Sequence, residues 1–174
     1  MRTHFNAVLT CSFDSVLIST KIMASINTKN IHRSNALLGH LYGQDFTYDE
    51  MVLTGPGEKG KAAAEYVAKD DSMAKNPPKP GEGPSKEERE TGFYDVMFVG
   101  DAPDGTRLIA GVTGDKDPGY GSTSKMIAES ALCLAKDISR EDTPGGVYTP
   151  APAMGGALID RLAANAGLTF KIES

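Results

Sequence analysis

No apolar run in this chain approaches the roughly 20 residues that a membrane-spanning helix requires, so no transmembrane segment is expected. Cysteine is scarce. Cys11 and Cys133 lack the paired spacing of a disulfide framework, and Cys133 falls in a helical stretch where a small buried thiol is the expected role. Unpaired thiols suit a reducing, cytoplasmic compartment. His4, His32 and His40 are the only imidazoles, and none has a second ligand type at metal-binding spacing, which argues against a zinc site. Basic charge is also short: 18 Lys and Arg against 23 Asp and Glu give a net charge of −5, so nucleic acid is not an expected partner. A secretory leader is not expected either. The apolar residues Phe5, Ala7, Val8 and Leu9 are interrupted by Asn6 and followed by Thr10 and Asp14, and Thr10 is a poor residue to precede a lipoprotein cysteine.

What remains is a chain of 174 residues with 40% apolar and 24% charged side chains, enough for one domain with a core of its own. The main discontinuity is Lys75 to Glu90, where four prolines and two glycines leave little room for helix or strand and the charges hold the backbone in water. This stretch reads as an exposed connector. Before it, Tyr48 to Thr54 has the composition of a short strand ended by Gly55-Pro56-Gly57, and the alanine-rich Glu58 to Lys69 reads as a helix with acid at its start and Lys69 at its end.

After the connector, Phe93 to Val99 and Thr106 to Thr113 flank a Pro and Asp-Gly loop and predict a β-hairpin. Tyr94, Val96 and Phe98 share one face of it, with Leu108, Ala110 and Val112 likewise aligned on the second strand. A helix is expected from about Ser122 to Ala135, lying flat on the sheet. Another is expected to begin at Thr149, as cap, and Pro150, and to exit at Gly167. Alternation of Leu168, Phe170 and Ile172 with Thr169, Lys171 and Glu173 predicts a final strand.

The segment Gly114 to Lys125 has the glycines of a phosphate cradle but not its pattern: no Gly-Lys pair follows Gly119-Tyr120-Gly121, and Ser124 stands where the dinucleotide fingerprint needs glycine. Two readings stay open for it, a tight strand-to-helix turn and a ligand-facing loop. The acidic cluster Asp45, Asp49 and Glu50 reads as a solvated strand end.

In order along the chain stand Asn27-Thr28-Lys29, Arg33-Ser34-Asn35-Ala36-Leu37, Gly39, Tyr42-Gly43, Tyr48-Asp49-Glu50 and Leu53-Thr54-Gly55. They continue with Lys79 to Ser85, Gly92-Phe93-Tyr94-Asp95, Asp117-Pro118-Gly119-Tyr120-Gly121, Lys125-Met126, Gly145-Gly146 and Thr149-Pro150. This series resembles the C-terminal, non-nucleotide-binding half of saccharopine-dehydrogenase-like oxidoreductases, a group that includes the trans-acting enoyl reductases. The resemblance runs over residues 22–174 and leaves 1–21 unmatched. It implies an α/β to α+β fold: a mixed or antiparallel sheet with helices packed on it, forming a substrate and dimerisation domain with no Rossmann domain in this chain. It implies NAD(P) as cofactor of a full-length family member, with none bound by this chain alone. A missing nucleotide-binding domain or a homodimer partner is implied, with an acyl or small-molecule substrate.

Partly from family position and partly from residue chemistry, Asp117, Gly119 and Tyr120 with Arg33, Ser34 and Asn35 are expected to form the substrate-facing edge. Arg33 would pair with a carboxylate or phosphate, and Tyr120 would offer a flat face with a polar tip. The function expected is a substrate-side module of an oxidoreductase. The alternative is a non-catalytic assembly module that keeps only the family's packing surface.

Overall fold

The computed structural model describes residues 15–19, 21–69, 75, 79 and 81–173. The expectations for His4, Cys11 and connector residues 76–78 and 80 fall outside the described residues.

The fold is mixed α/β, centred on a three-stranded antiparallel sheet in the order β3 (Tyr94–Asp101), β4 (Arg107–Gly114), β5 (Leu168–Glu173). Strands β3 and β4 form the predicted hairpin. Its loop closes because Ala102 N donates to Thr106 O at 2.8 Å, the Asp104 carboxylate takes the Thr106 amide at 2.9 Å, and Gly105 accepts a φ of +85°. Strand β5 pairs with β4, so that Val96, Val112 and Phe170 form one cross-strand row and Phe98, Ala110 and Ile172 the next. All six side chains point to the same face, because alternation puts every second residue there.

Two helices cover part of that face. Helix α4 (Gly121–Lys136) and helix α5 (Pro150–Asn165) pack on each other through Cys133, Ala153 and Met154. Leu162 and Ala166 press on Leu168, Val112 and Phe170, and Met126 joins them from α4. Small residues at the helix contact permit close approach. Arg161 on α5 clamps the pair by donating to Glu129 at 2.6 Å and to Asp137 at 2.5 Å. Gly167 ends α5 with a φ of +74°, as its position predicts. Inside α5, Gly155 breaks the helical path at φ 51°, ψ −131°, a conformation open to glycine alone among common residues.

A second, two-stranded sheet joins β1 (Ser15–Ser19) antiparallel to β2 (Met51–Pro56), with helix α2 (Gly57–Lys69) packed on both. The strand begins later than the expected Tyr48. Local bonds explain the delay: the Tyr48 hydroxyl donates to Glu50 at 2.7 Å and the Asp49 carboxylate takes the Glu50 amide, which holds this turn out of the ladder. Partial burial and the neighbouring Glu50 push the Tyr48 hydroxyl well above its ordinary pKa, so it remains a neutral donor. Helix α1 (Lys21–Leu37), for which no sequence expectation was formed, connects β1 to β2 and contacts α5.

The connector requires a correction. Its last residues are not extended: Lys86–Thr91 form helix α3, started by Ser85, whose hydroxyl takes the Glu88 amide at 3.2 Å while the Glu88 carboxylate takes the Ser85 amide at 2.7 Å. This reciprocal capping box outweighs the surrounding proline and glycine. No described helix is long and apolar enough to cross a membrane.

Candidate functional site

The turn that leads from β4 into α4 is organised by one carboxylate. Asp117 accepts from the amides of Gly121 at 2.6 Å, Tyr120 at 2.9 Å and Gly119 at 3.0 Å, and its own carbonyl takes the Ser122 amide at 2.8 Å. Three convergent donors explain why its acidity is enhanced: the Gly121 and Tyr120 amides, followed by Gly119 and the nearby Arg89 charge, hold the carboxyl below its ordinary pKa. The glycine-rich stretch therefore does cradle an anion at a helix start, and the anion is its own side chain.

A carboxyl whose folded pKa is depressed contributes stability above its unfolded pKa and loses it as pH falls through the folded value. Replacing Asp117 by Asn is therefore expected to lower the thermal midpoint at neutral pH, and the gap from wild type should close as pH drops below about 4. Thermal melts of both proteins across pH 2.5–7 read this directly. A gap that stays constant with pH rules out the carboxylate's role.

Tyr120 precedes this helix and leaves 54% of its surface exposed. The other side of its ring lies against Gly83: a Cβ there would stand 3.2 Å from Tyr120 Cε2 and Cζ. The Asp117 amide donates to Arg89 O at 3.2 Å, so the turn is anchored to α3. One edge thus carries Asp117, Gly119 and Tyr120 against the end of the connector.

Arg33, Ser34 and Asn35 lie in a different setting, near the end of α1. Arg33 Nη2 donates to Val147 O at 2.9 Å, and the buried Ser34 hydroxyl meets the Thr149 hydroxyl at 2.6 Å while also bonding Asn30 O at 2.8 Å. Asn35, also buried, donates through Nδ2 to Gly43 O at 2.7 Å and accepts the Tyr42 amide through Oδ1 at 2.9 Å. Thr149 was expected to cap α5 with its side chain. Instead that hydroxyl is turned to Ser34, and no side-chain bond caps the helix. The triplet welds α1 to the start of α5 and pins the loop after α1.

Among the described residues, no hydrogen bond or ion pair joins Arg33, Ser34 or Asn35 to Asp117, Gly119 or Tyr120. Ser34 and Asn35 have spent their side-chain polar atoms on structural bonds, whereas Tyr120 presents its ring to solvent. Sequence reasoning missed Thr149 as the partner of Ser34, a contact across 115 positions that carries no local signal. No group of three or more His, Cys, Asp or Glu able to hold a metal is found among the described residues.

Comparison with known proteins gives homologues over most of the chain. A protein of Mycobacterium tuberculosis strain H37Rv, provisionally named a trans-acting enoyl reductase, is 38% identical over 167 residues, a match covering 86% of this chain and 40% of that protein. A trans-acting enoyl reductase of Mycobacterium ulcerans is 33% identical over 158 residues, covering 81% of this chain and 38% of that protein. One from Mycobacterium bovis strain BCG is 34% identical over 158 residues, with the same coverages. The chain therefore spans about 40% of the length of the curated relatives it matches. No family model matches the sequence. No solved structure matches it.

Proposed function

We propose that this chain is the substrate-side module of an NAD(P)-dependent, saccharopine-dehydrogenase-like oxidoreductase of the enoyl-reductase type. The observation that carries this reading is the ordered match to trans-acting enoyl reductases over 86% of the chain, confined to 40% of their length. Hydride transfer needs a nicotinamide held against the substrate. In this reading the nucleotide is bound by the portion of such a protein that the chain does not match. The ligand-facing edge is the Asp117–Tyr120 turn, with Tyr120 as the exposed contact and Arg33 as the cation for a carboxylate or phosphate. Ser34 and Asn35 act only through the fold, by fixing α1 to the start of α5 and shaping the loop after α1.

Titration of the chain with NADPH and NADH by calorimetry is expected to give no saturable binding in the micromolar range, about −8 kcal/mol. Co-expression with the unmatched portion of a relative is expected to restore NADPH-dependent reduction of a 2-enoyl thioester. Micromolar binding by the chain alone moves the cofactor site into it. Failure to restore reduction with a folded complex overturns the substrate-side role.

A second reading, an assembly or dimerisation module, is favoured by the apolar surface left open on the sheet. Val96, Phe98, Leu108 and Ile172 are all exposed on the face that α4 and α5 only partly cover. Exposed apolar clusters of this kind mark association surfaces.

A further inference from the structure

We propose that two copies of this chain pair antiparallel along the outer edge of β5, about a two-fold axis at Ile172, to form one continuous six-stranded sheet. The proposal deepens the dimer reading above and is independent of the cofactor. It begins with the backbone. In an antiparallel ladder, directly opposed residues alternate between those that exchange hydrogen bonds and those whose N–H and C=O point away. The Asp115 amide donates to Gly167 O, and the register continues this pairing through Thr113 with Thr169, Gly111 with Lys171 and Ile109 with Glu173. The N–H and C=O groups of Leu168, Phe170 and Ile172 therefore point to the open side of β5.

The same rule applied to the other edge leaves the backbones of Asp95, Met97, Val99 and Asp101 facing outward from β3, since Ala102 N donates to Thr106 O in the even-numbered register. Charge separates the two edges. In β3 the charged side chains are Asp95 and Asp101, and Asp101 is already paired with Arg107 of β4, so antiparallel self-pairing about Phe98 offers no opposite-charge contact across the axis. In β5 the charges have opposite signs two positions apart.

With Ile172 on the axis, Lys171 stands opposite Glu173 of the partner subunit, and symmetry produces the pair twice. This register also sets Ile172 against Ile172 of the partner subunit in a hydrogen-bonding position, as the free backbone groups require, and among the described residues the ladder spans Lys171 to Glu173. Lys171 and Glu173 form no ion pair among the described residues, and the Glu173 carboxylate, which lies over Gly111 of β4, reaches a partner by a rotation about its own side chain.

The apolar surface agrees with the charges. Ile172 is 75% exposed and ends the Phe98, Ala110 and Ile172 row, which α4 and α5 leave open. Pairing β5 with its copy makes that row continuous across the axis. The contact is short and buries less than the roughly 800 Å² per partner of a standard interface, so association is expected near about 10 µM.

Sedimentation equilibrium of the full chain over about 1–200 µM tests this, with circular dichroism confirming that each variant is folded. The wild type is expected to form a dimer. Ile172→Lys, a change at an exposed position, is expected to leave a folded monomer. Lys171→Glu and Glu173→Lys each turn two attractive pairs into repulsive ones and are expected to weaken the dimer roughly tenfold. The double variant Lys171→Glu/Glu173→Lys restores opposite signs and is expected to return to within about threefold of wild type.

A dimer indifferent to Ile172→Lys and to both reversals overturns the β5 interface while leaving a dimer in place. A strictly monomeric wild type overturns the interface and the dimer reading together, and leaves the reductase reading to its own test. Open-ended growth with concentration indicates β3-to-β5 pairing and also overturns the proposal.

Discussion

Gly60→Ala is expected to destabilise the chain by about 1–3 kcal/mol, even though alanine is the better helix former. A Cβ at Gly60 overlaps the backbone carbonyl of Gly55 and also crowds Thr54 O. Those atoms belong to the end of β2, where Gly55 at φ +88° and Gly57 at φ +68° fold the chain back into α2. Helix propensity favours Ala over Gly by about 1 kcal/mol. Relief of the overlap requires α2 to move away from a turn that cannot yield, at a cost of about 1–3 kcal/mol or more for overpacking, plus the contacts α2 loses with both strands. The steric term wins. Gly156→Ala is the control: nothing lies within 4 Å of its Cβ position, and the same propensity should there act as a stabilising effect of about 0.4–1 kcal/mol. Urea denaturation of both variants measures the contrast, and a Gly60→Ala chain as stable as wild type refutes the close approach.

Asn35→Ala carries the second large effect, expected at about 2–4 kcal/mol. Its amide ties the loop after α1 from inside, giving a donor to Gly43 O and an acceptor to the Tyr42 amide. The loop is otherwise shaped by backbone turns, with the Gly43 amide donating to His40 O at 2.9 Å. His40 sits at a positive φ of 59°, and the Asn35 carbonyl takes the His40 amide at 2.8 Å. Truncation leaves a donor and an acceptor without their side-chain partner at a position only 3% exposed, and each such loss costs about 1–3 kcal/mol. Asn35→Asp keeps the acceptor for Tyr42 but faces the Gly43 carbonyl with a carboxylate, so it should recover little. The experiment is equilibrium denaturation. If Asn35→Ala unfolds at the wild-type midpoint, the side chain is free of structural duty and its place at a ligand-facing edge gains weight.

How far the fold could be read in advance depends on where each element's stability comes from. The β3–β4 hairpin, α4, the exit of α5 at Gly167 and the alternation of β5 were legible because turn chemistry and periodicity both specify them locally. Helix α1 was not. It has no acid in its first turn and no base in its last, and it is held by Ser34 meeting Thr149 and by Arg33 meeting Val147 O. Tertiary bonds of that range leave no periodic trace.

Helix α3 was missed for a different reason. Its capping box, Ser85 and Glu88, stands in the sequence, but the prolines and glycines before it dominated the reading. The candidate site divides the same way. The Asp117 turn was legible as a special loop, whereas the carboxylate's service to three amides and the burial of Ser34 and Asn35 depend on geometry.

The break at Gly155 gives α5 the mechanics of a lever. Its first turn is moored to α1 through Thr149 and Ser34, and Ala153 O is held by the Thr143 hydroxyl at 3.0 Å. Beyond the break, Leu162 and Ala166 ride on the sheet. Gly155 is thus the point where a segment tied to α1 meets a segment seated on the sheet. The ten residues from Gly156 to Asn165 make an arm of about 15 Å, so a turn of about 10° at Gly155 swings its tip by roughly 3 Å. The two backbone angles of Gly155 therefore fix the direction in which α5 runs from its mooring on α1 to its seat on the three-stranded sheet.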